Sequence, residues 1–434
     1  MKNSFKDTAK WLSLSAELGD ADSQFKLGLI YKLAENAPEE KAESLKWLQK
    51  AADQGHADAQ FTLGKSYFYG DDAPEDKAEA LKWIQKAADQ GHADAVFLLG
   101  FAYYSGEGAP EDKALALKWI QKAADLDNAY ACFLLGHSFY FDEDAPEDKA
   151  EALKWIQKAA DLGYADAQFF LGQSLYLLEG GPENMALAVK WFQKAADQGL
   201  AEAQFKLGFA YDLGEGAPKN KAESLKWYQK AAEQGLPEAQ FNLAESYFHG
   251  EGVPENKALA LKWYKKAAEL GLPEAQFILG LAYDLGDGVP ENKALAIKWY
   301  KKAADQDYAE AQFNLAESYF HGLGAPQDKA EGLKWYKKAA EQGHLNAQFN
   351  LGLAYYFGKG SPENKAEGVK WIQKAADQGL ADAQFSLGNC YYFGEGAPEN
   401  KALAVKWFQK AADQGLADAQ FSLANSFFTV KHKF

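Results

Sequence analysis

The chain has 434 residues, a length at which an ordinary globular protein divides into two or three domains, and 47% of them are hydrophobic, which excludes a disordered chain. Lys plus Arg is 46 against Asp plus Glu 62, a formal net charge of −16, and none of the 46 is arginine. An acidic surface without the residue that best reads guanine excludes nucleic acid as a partner.

The opening segment, MKNSFKDTAKWLSLSAELGD, has no continuous apolar core behind its charges, so it does not read as a signal peptide. No later run is long and apolar enough to span a bilayer. The expectation is a soluble protein, cytoplasmic by default, or secreted or periplasmic if a leader has been removed. The segment carries Trp11, and the other eleven tryptophans follow at Trp47, Trp83, Trp119, Trp155, Trp191, Trp227, Trp263, Trp299, Trp335, Trp371 and Trp407. Every spacing is 36 residues, with no insertion or deletion. A fixed period of that size marks a solenoid, whose units bury their apolar faces on one another. The chain therefore reads as one domain over 1–434: a lone helix B at about 7–18, repeats over about 21–415, a final helix A at about 417–428 and a tail over 429–434.

The unit is clearest at Ala381–Gly415. Ala381–Phe393, ADAQFSLGNCYYF, places Ala381, Gln384, Leu387, Gly388 and Tyr391 three or four apart on one face, predicting helix A. GEGAPEN follows as a turn, with Asn400 as N-cap of helix B over Lys401–Gln414. Asp76 with Glu79, Asp148 with Glu151 and Asp328 with Glu331 form capping boxes at the equivalent position. Glycine stands at C′ of helix B at Gly55, Gly91, Gly163, Gly199, Gly235 and Gly415. Asp127 and Asp307 replace it twice, predicting slightly strained or differently shaped turns. The recurring Phe, Leu, small residue and Trp, with the Ala-Ala pairs, read as core, the small residue letting helix B approach. Cys132 and Cys390 are too far apart in a solenoid to pair and read as packing residues.

The pattern A-x-A-Q-F-x-L-G-x-x-Y, then G-x-G-x-P-x-N, then K-A-x-x-x-K-W-x-x-K-A-A-x-x-G resembles a Sel1-like repeat, the longer relative of the tetratricopeptide repeat, over essentially the whole chain. The resemblance implies an all-α fold, a right-handed α/α superhelix of helix-turn-helix repeats, and a scaffold for protein partners. The first unit departs from the pattern: LAENAPEE lacks the loop glycines and WLSLSAELG lacks Lys-Ala-Ala, as a wet capping repeat requires. At the other end, Phe427 and Phe428 have no helix B after them, so either the tail Lys431, His432, Lys433 folds back or this end associates with another molecule. QFNLAESYFHG occurs at Gln240–Gly250 and again at Gln312–Gly322, and YDLG at Tyr211 and Tyr283, which records a copied block of two repeats.

Where the A helices line the concave surface, the residue after the Phe, the one after the small residue and the two after the Tyr form one variable stripe. It is apolar and aromatic at Leu98, Phe101 and Tyr104, then Leu134, His137, Tyr140 and Phe141, then Phe170, Gln173, Tyr176 and Leu177. It turns polar at Asn242, Glu245 and His249, at Asp284, at Asn314, Glu317 and His321, and at Asn350 and Asn389. Phe248, Phe320, Tyr356, Tyr392 and Phe393 supply aromatic company. Such a face suits a peptide or a partner's loop, in a pattern that packing does not demand. The competing account is that the aromatics close gaps between adjacent units. The terminal-carboxylate clamp of related tetratricopeptide domains is not expected, since the stripe offers Lys only at Lys26, Lys65 and Lys206.

No catalytic residue, cofactor or metal is assigned. Glu245 with His249 and Glu317 with His321 read as surface pairs one turn apart, with no recurring nucleophile and no H-E-x-x-H. The acidic loops Asp71–Asp76 and Asp142–Asp148 lack EF-hand spacing and read as solvated turns. The sequence thus points to a non-enzymatic scaffold holding a protein or peptide on its concave A-helix face, with end-to-end self-association through the C-terminal helix as a further contact. The alternatives are a carbohydrate- or cell-wall-binding repeat protein and a hydrolase of the kind labelled β-lactamase among Sel1-like proteins.

Overall fold

The computed structural model describes residues 12–33, 38–140, 149–177 and 181–431. Trp11, most of the first unit's loop, Phe141, the Asp142–Asp148 loop and residues 432–434 lie outside them, as do the side chains from 427 onward, including Phe427 and Phe428. Residues 12–17 are helical, and 23 helices follow, from Ala21–Leu33 to Ala417–Lys431. Among the described residues there is no strand, and the fold is an all-α solenoid of 36-residue repeats. The type unit folds as read: helix A is Ala381–Phe393 and helix B is Lys401–Asp413. The final helix A continues to Lys431, three residues beyond the expected end.

The chain divides into two compact units. The first is Met1–Ala210 with Gly214–Pro218, and the second is Tyr211–Leu213 with Lys219–Phe434. Within each, a helix packs on its sequence neighbours.

Local chemistry fixes the helix ends. Asp76 accepts from the Glu79 amide, Asp328 from the Glu331 amide and Asn400 from the Leu403 amide, at 2.9–3.0 Å, which satisfies an orphan donor of the first turn. At C′ the glycines take φ between 82° and 102°. Asp127 and Asp307 enter the same left-handed region at 62° and 61°, so these turns keep the common shape. Each Asp carries a bond that offsets its steric cost: Lys158 pairs with Asp127 at 2.8 Å, and Gln312 donates to Asp307 at 3.2 Å. The small residue of helix A does what spacing required. A Cβ on Gly64 would lie 2.7 Å from Ile84, so helix B can rest directly on the backbone there.

Two periodic features hold the repeats. Every described tryptophan has the Lys three positions later over its ring, at 3.6 Å for Lys86 on Trp83 and 5.2 Å for Lys158 on Trp155; each such contact is worth about 0.5–1 kcal/mol. The second is a glutamine relay. Gln60 is buried and donates to the Ala52 carbonyl at 3.0 Å, and its Oε1 accepts from Gln90 at 2.8 Å. The same relay joins Gln24 to Gln54, Gln168 to Gln198, Gln276 to Gln306, Gln312 to Gln342, Gln348 to Gln378 and Gln384 to Gln414. Where the first member is Val96 or Cys132, the second is Leu126 or Leu162, so both partners are lost together. Gln240 breaks the rule. Its partner position holds Leu270, and its buried Oε1 has no hydrogen-bond partner.

Candidate functional site: the A-helix face

The stripe residues do not share one environment. In the first unit, helices Ala93–Ser105 and Ala129–Tyr140 flank a cleft of about 470 Å³ lined by Phe97, Phe101, Tyr104, Leu117, Tyr130 and Leu134, among others. Phe101 is 38% exposed, Tyr104 58% and Leu117, from helix B, 51%. These are large apolar surfaces left to water. Leu98, on the same helix, is 6% exposed and belongs to the core, which corrects its place on the open stripe. Its neighbours Leu99 and Ala102 are also core, so this helix is apolar nearly all round and its helical wheel has no clean boundary.

The next two A helices spend their aromatics on each other. Tyr140 meets Phe170 edge-on at 5.1 Å, and His137 lies 6.1 Å from Phe170. Tyr176 donates its hydroxyl to Glu215, 39 residues on, and burial and that carboxylate push its pKa up to about 12. Gln173 is half-buried. Glu143 and Glu179 follow Tyr104 and Tyr140 by the same 39 residues but lie outside the described residues.

In the second unit the polar stripe is largely committed inward. Tyr264 donates to Glu245 and Tyr336 to Glu317, while Tyr300 donates to Asp284 at 3.3 Å. These tyrosines are about 1% exposed, and a hydroxyl so placed requires an acceptor. Packing therefore does demand acids at Glu245, Asp284 and Glu317, which corrects the reading that it does not. Burial, reinforced by the facing carboxylates, raises the pKa of all three tyrosines. His249 and His321 stand 3.4 and 3.6 Å from Glu245 and Glu317 and are themselves exposed. Asn350 also donates to Glu317, at 2.8 Å. Asn242 and Asn314 turn their amide nitrogens onto their own helices, 2.9 Å from the Glu238 and Glu310 carbonyls. Tyr356 donates to Glu395 at 2.6 Å, and burial again raises its pKa. Asn389 and Tyr392 border a cleft of about 200 Å³ with Ser422 and Asn425.

Three histidines have a task that the spacing did not reveal. His56, His92 and His344 cap helix A through Nδ1, at 3.1–3.3 Å from a first-turn amide. Each turns Nε2 to an acid in the first turn of the preceding helix A, Asp22, Asp58 or Glu310, at 2.9–3.2 Å. Asn128 does the same, capping Ala131 and donating to Asp94 at 2.7 Å. The available signal was a polar residue directly after the C′ position with an acid 34 residues earlier.

Burial pushes the Cys390 thiol up to about 11 and also raises Cys132, so neither presents a thiolate at neutral pH. Among the described residues no group of three or more His, Cys, Asp or Glu is arranged to hold a metal ion. Nor is any described helix long and apolar enough to cross a membrane.

Comparison with known proteins agrees with this construction. The Sel1 repeat matches eleven consecutive 36-residue segments, from 21–56 to 381–416. A solved protective antigen of uropathogenic Escherichia coli with an SLR fold is 33% identical, with a TM-score of 0.85 over 97% of this chain and 90% of its own. A Sel1 repeat protein from Oxalobacter formigenes is 34% identical, with a TM-score of 0.56 over 71% of this chain and 90% of its own. No curated protein matches significantly. With its Lys and Trp stacked in register, and its glutamine relay in most repeats, the chain belongs to the Sel1 repeat family.

Proposed function

We propose that this repeat scaffold holds a protein or peptide partner along the face that its A helices line, without catalysing a reaction, and that the cleft between Ala93–Ser105 and Ala129–Tyr140 is the anchor point. Scaffolds of this family generally serve protein interaction. The observation that carries the reading is the exposure of Phe101, Tyr104 and Leu117 around one cleft. Leu177, Leu285, Phe357 and Phe393 are also exposed on this face, but the clefts beside Phe357 and Phe393 measure about 140 and 200 Å³, against about 470 Å³ here. Interface anchors are aromatic or aliphatic side chains meeting a pocket of this kind.

The test is partner capture from the source cell with the wild-type chain and with Phe101→Ala, Tyr104→Ala. Equal helicity of the two is checked first by circular dichroism. A partner held by the wild type and lost by the variant is the expected result. The same partner held by both removes the cleft as anchor. Retention on immobilised glycan, reversed by free sugar and lost in the variant, would assign the face to carbohydrate instead.

A further inference from the structure

We infer that the partner segment is basic: one large apolar side chain flanked by lysines or arginines. This rests on the cleft being the docking site and adds the charge of what docks there.

Charge is unevenly spread along the chain. Residues 57–164 carry 20 acidic and 10 basic side chains, a net −10 of the chain's −16. Residues 201–380, a longer stretch, carry 24 and 21, a net −3. The open aromatic cleft falls inside the acidic stretch. The loop between Tyr104 and Lys113, which joins the helix of Phe101 to the helix of Leu117, contains Glu107, Glu111 and Asp112. Some of these charges are answered locally. Glu107 pairs with Lys77 at 2.6 Å, and Lys113 at the cleft margin lies 3.5 Å from Glu111. Asp112 caps Leu115 at 2.9 Å and stays exposed, so it keeps its charge at the surface. After such pairings the excess of acid over base remains, and a low-dielectric apolar cleft surrounded by one sign of charge draws the opposite sign. A segment with acidic flanks would meet repulsion, as would an anionic membrane surface. A neutral apolar segment would gain only the contact with Phe101, Tyr104 and Leu117.

The experiment titrates three labelled synthetic peptides into the full chain by fluorescence anisotropy, each with a central Phe flanked by Lys, by Ser or by Glu. The Lys-flanked peptide is expected to bind roughly tenfold or more tighter than the Glu-flanked one, and the gap should close as salt rises. Leu117→Ser, at an exposed position, should weaken it by roughly tenfold, as should replacing the peptide's Phe by Ser. Tyr104→Lys, which brings positive charge into the cleft, should weaken the Lys-flanked peptide most. Equal binding of all three peptides, lost with Leu117→Ser, would overturn the basic preference and leave the docking site standing. Binding of the Lys-flanked peptide that ignores both Leu117→Ser and the loss of its Phe would overturn the inference and the cleft together, as attraction to an acidic surface alone. If none of the three binds, the inference fails, and the capture experiment still judges the anchor point separately.

Discussion

A single oxygen shows how closely these repeats are specified. Gln240 Oε1 is buried without a partner because Leu270 stands where other repeats place a glutamine, and an orphaned acceptor costs about 1–3 kcal/mol. Leu270→Gln should restore the bond and raise the unfolding free energy by about 1 kcal/mol in a denaturant titration. Leu270 is 56% exposed, so the exchange removes little packing. No change, or a loss, would mean that the relay does not contribute to stability. The paired replacements Val96 with Leu126 and Cys132 with Leu162 follow the same logic, since an apolar pair leaves nothing unsatisfied.

Among the elements, helix B of the second unit places Tyr264, Tyr300 and Tyr336 where Phe192 and Phe408 stand elsewhere, and helix A answers with Glu245, Asp284 and Glu317. The raised tyrosine pKa values have a direct consequence. The folded chain keeps phenolic protons that the unfolded chain releases near pH 10, so stability is complete below about pH 10 and falls as pH rises above it. Unfolding midpoints measured up the alkaline range should show that slope, and Tyr264→Phe should make it shallower while costing about 1 kcal/mol at neutral pH. An unchanged slope would deny the tyrosine a part in it. The helices, the caps of helix B and the Trp-centred core were legible in the sequence, because a 36-residue period repeats whatever builds the scaffold. The site was legible only in outline. Phe101 and Tyr104 were read as face residues and are exposed beside the cleft, but Leu98 could not be told from them on a helix apolar nearly all round. The acids read as a partner-facing pattern because their tyrosine partners lie 16 to 19 residues away on another helix, and helical periodicity carries no information across that gap. Leu117 was missed for a related reason: its register is ordinary core in other repeats, as at Leu261 and Leu333.

For each unit as a whole, stability is a sum over neighbours, since every helix packs on the helices next to it in sequence. Removing one complete repeat, 273–308, should leave helicity per residue unchanged by circular dichroism and lower the unfolding free energy only modestly. Removing half that length, one helix alone, should abolish cooperative unfolding of the second unit, because it joins two helices of the same kind. Equal damage from both deletions would show that long-range coupling dominates. The placement of the buried polar bonds also bears on how such a chain can be inherited. The relay from Gln306 to Gln276 and the bond from Tyr264 to Glu245 begin and end inside one repeat. Some bonds that cross a junction end on a backbone carbonyl, as Gln276 does on Ala268, or join exposed charges, as Lys257 does with Asp287, while Tyr176 to Glu215, Tyr356 to Glu395 and Asn350 to Glu317 join particular side chains of adjacent repeats. A gene that gains or loses whole units by unequal recombination therefore carries each relay pair intact, and a new junction asks for a particular partner only where a repeat brings a side chain such as Tyr176, Asn350 or Tyr356 to it. Copy number can drift while the fold is kept, and the copied block ending in the second QFNLAESYFHG is what such an event leaves behind.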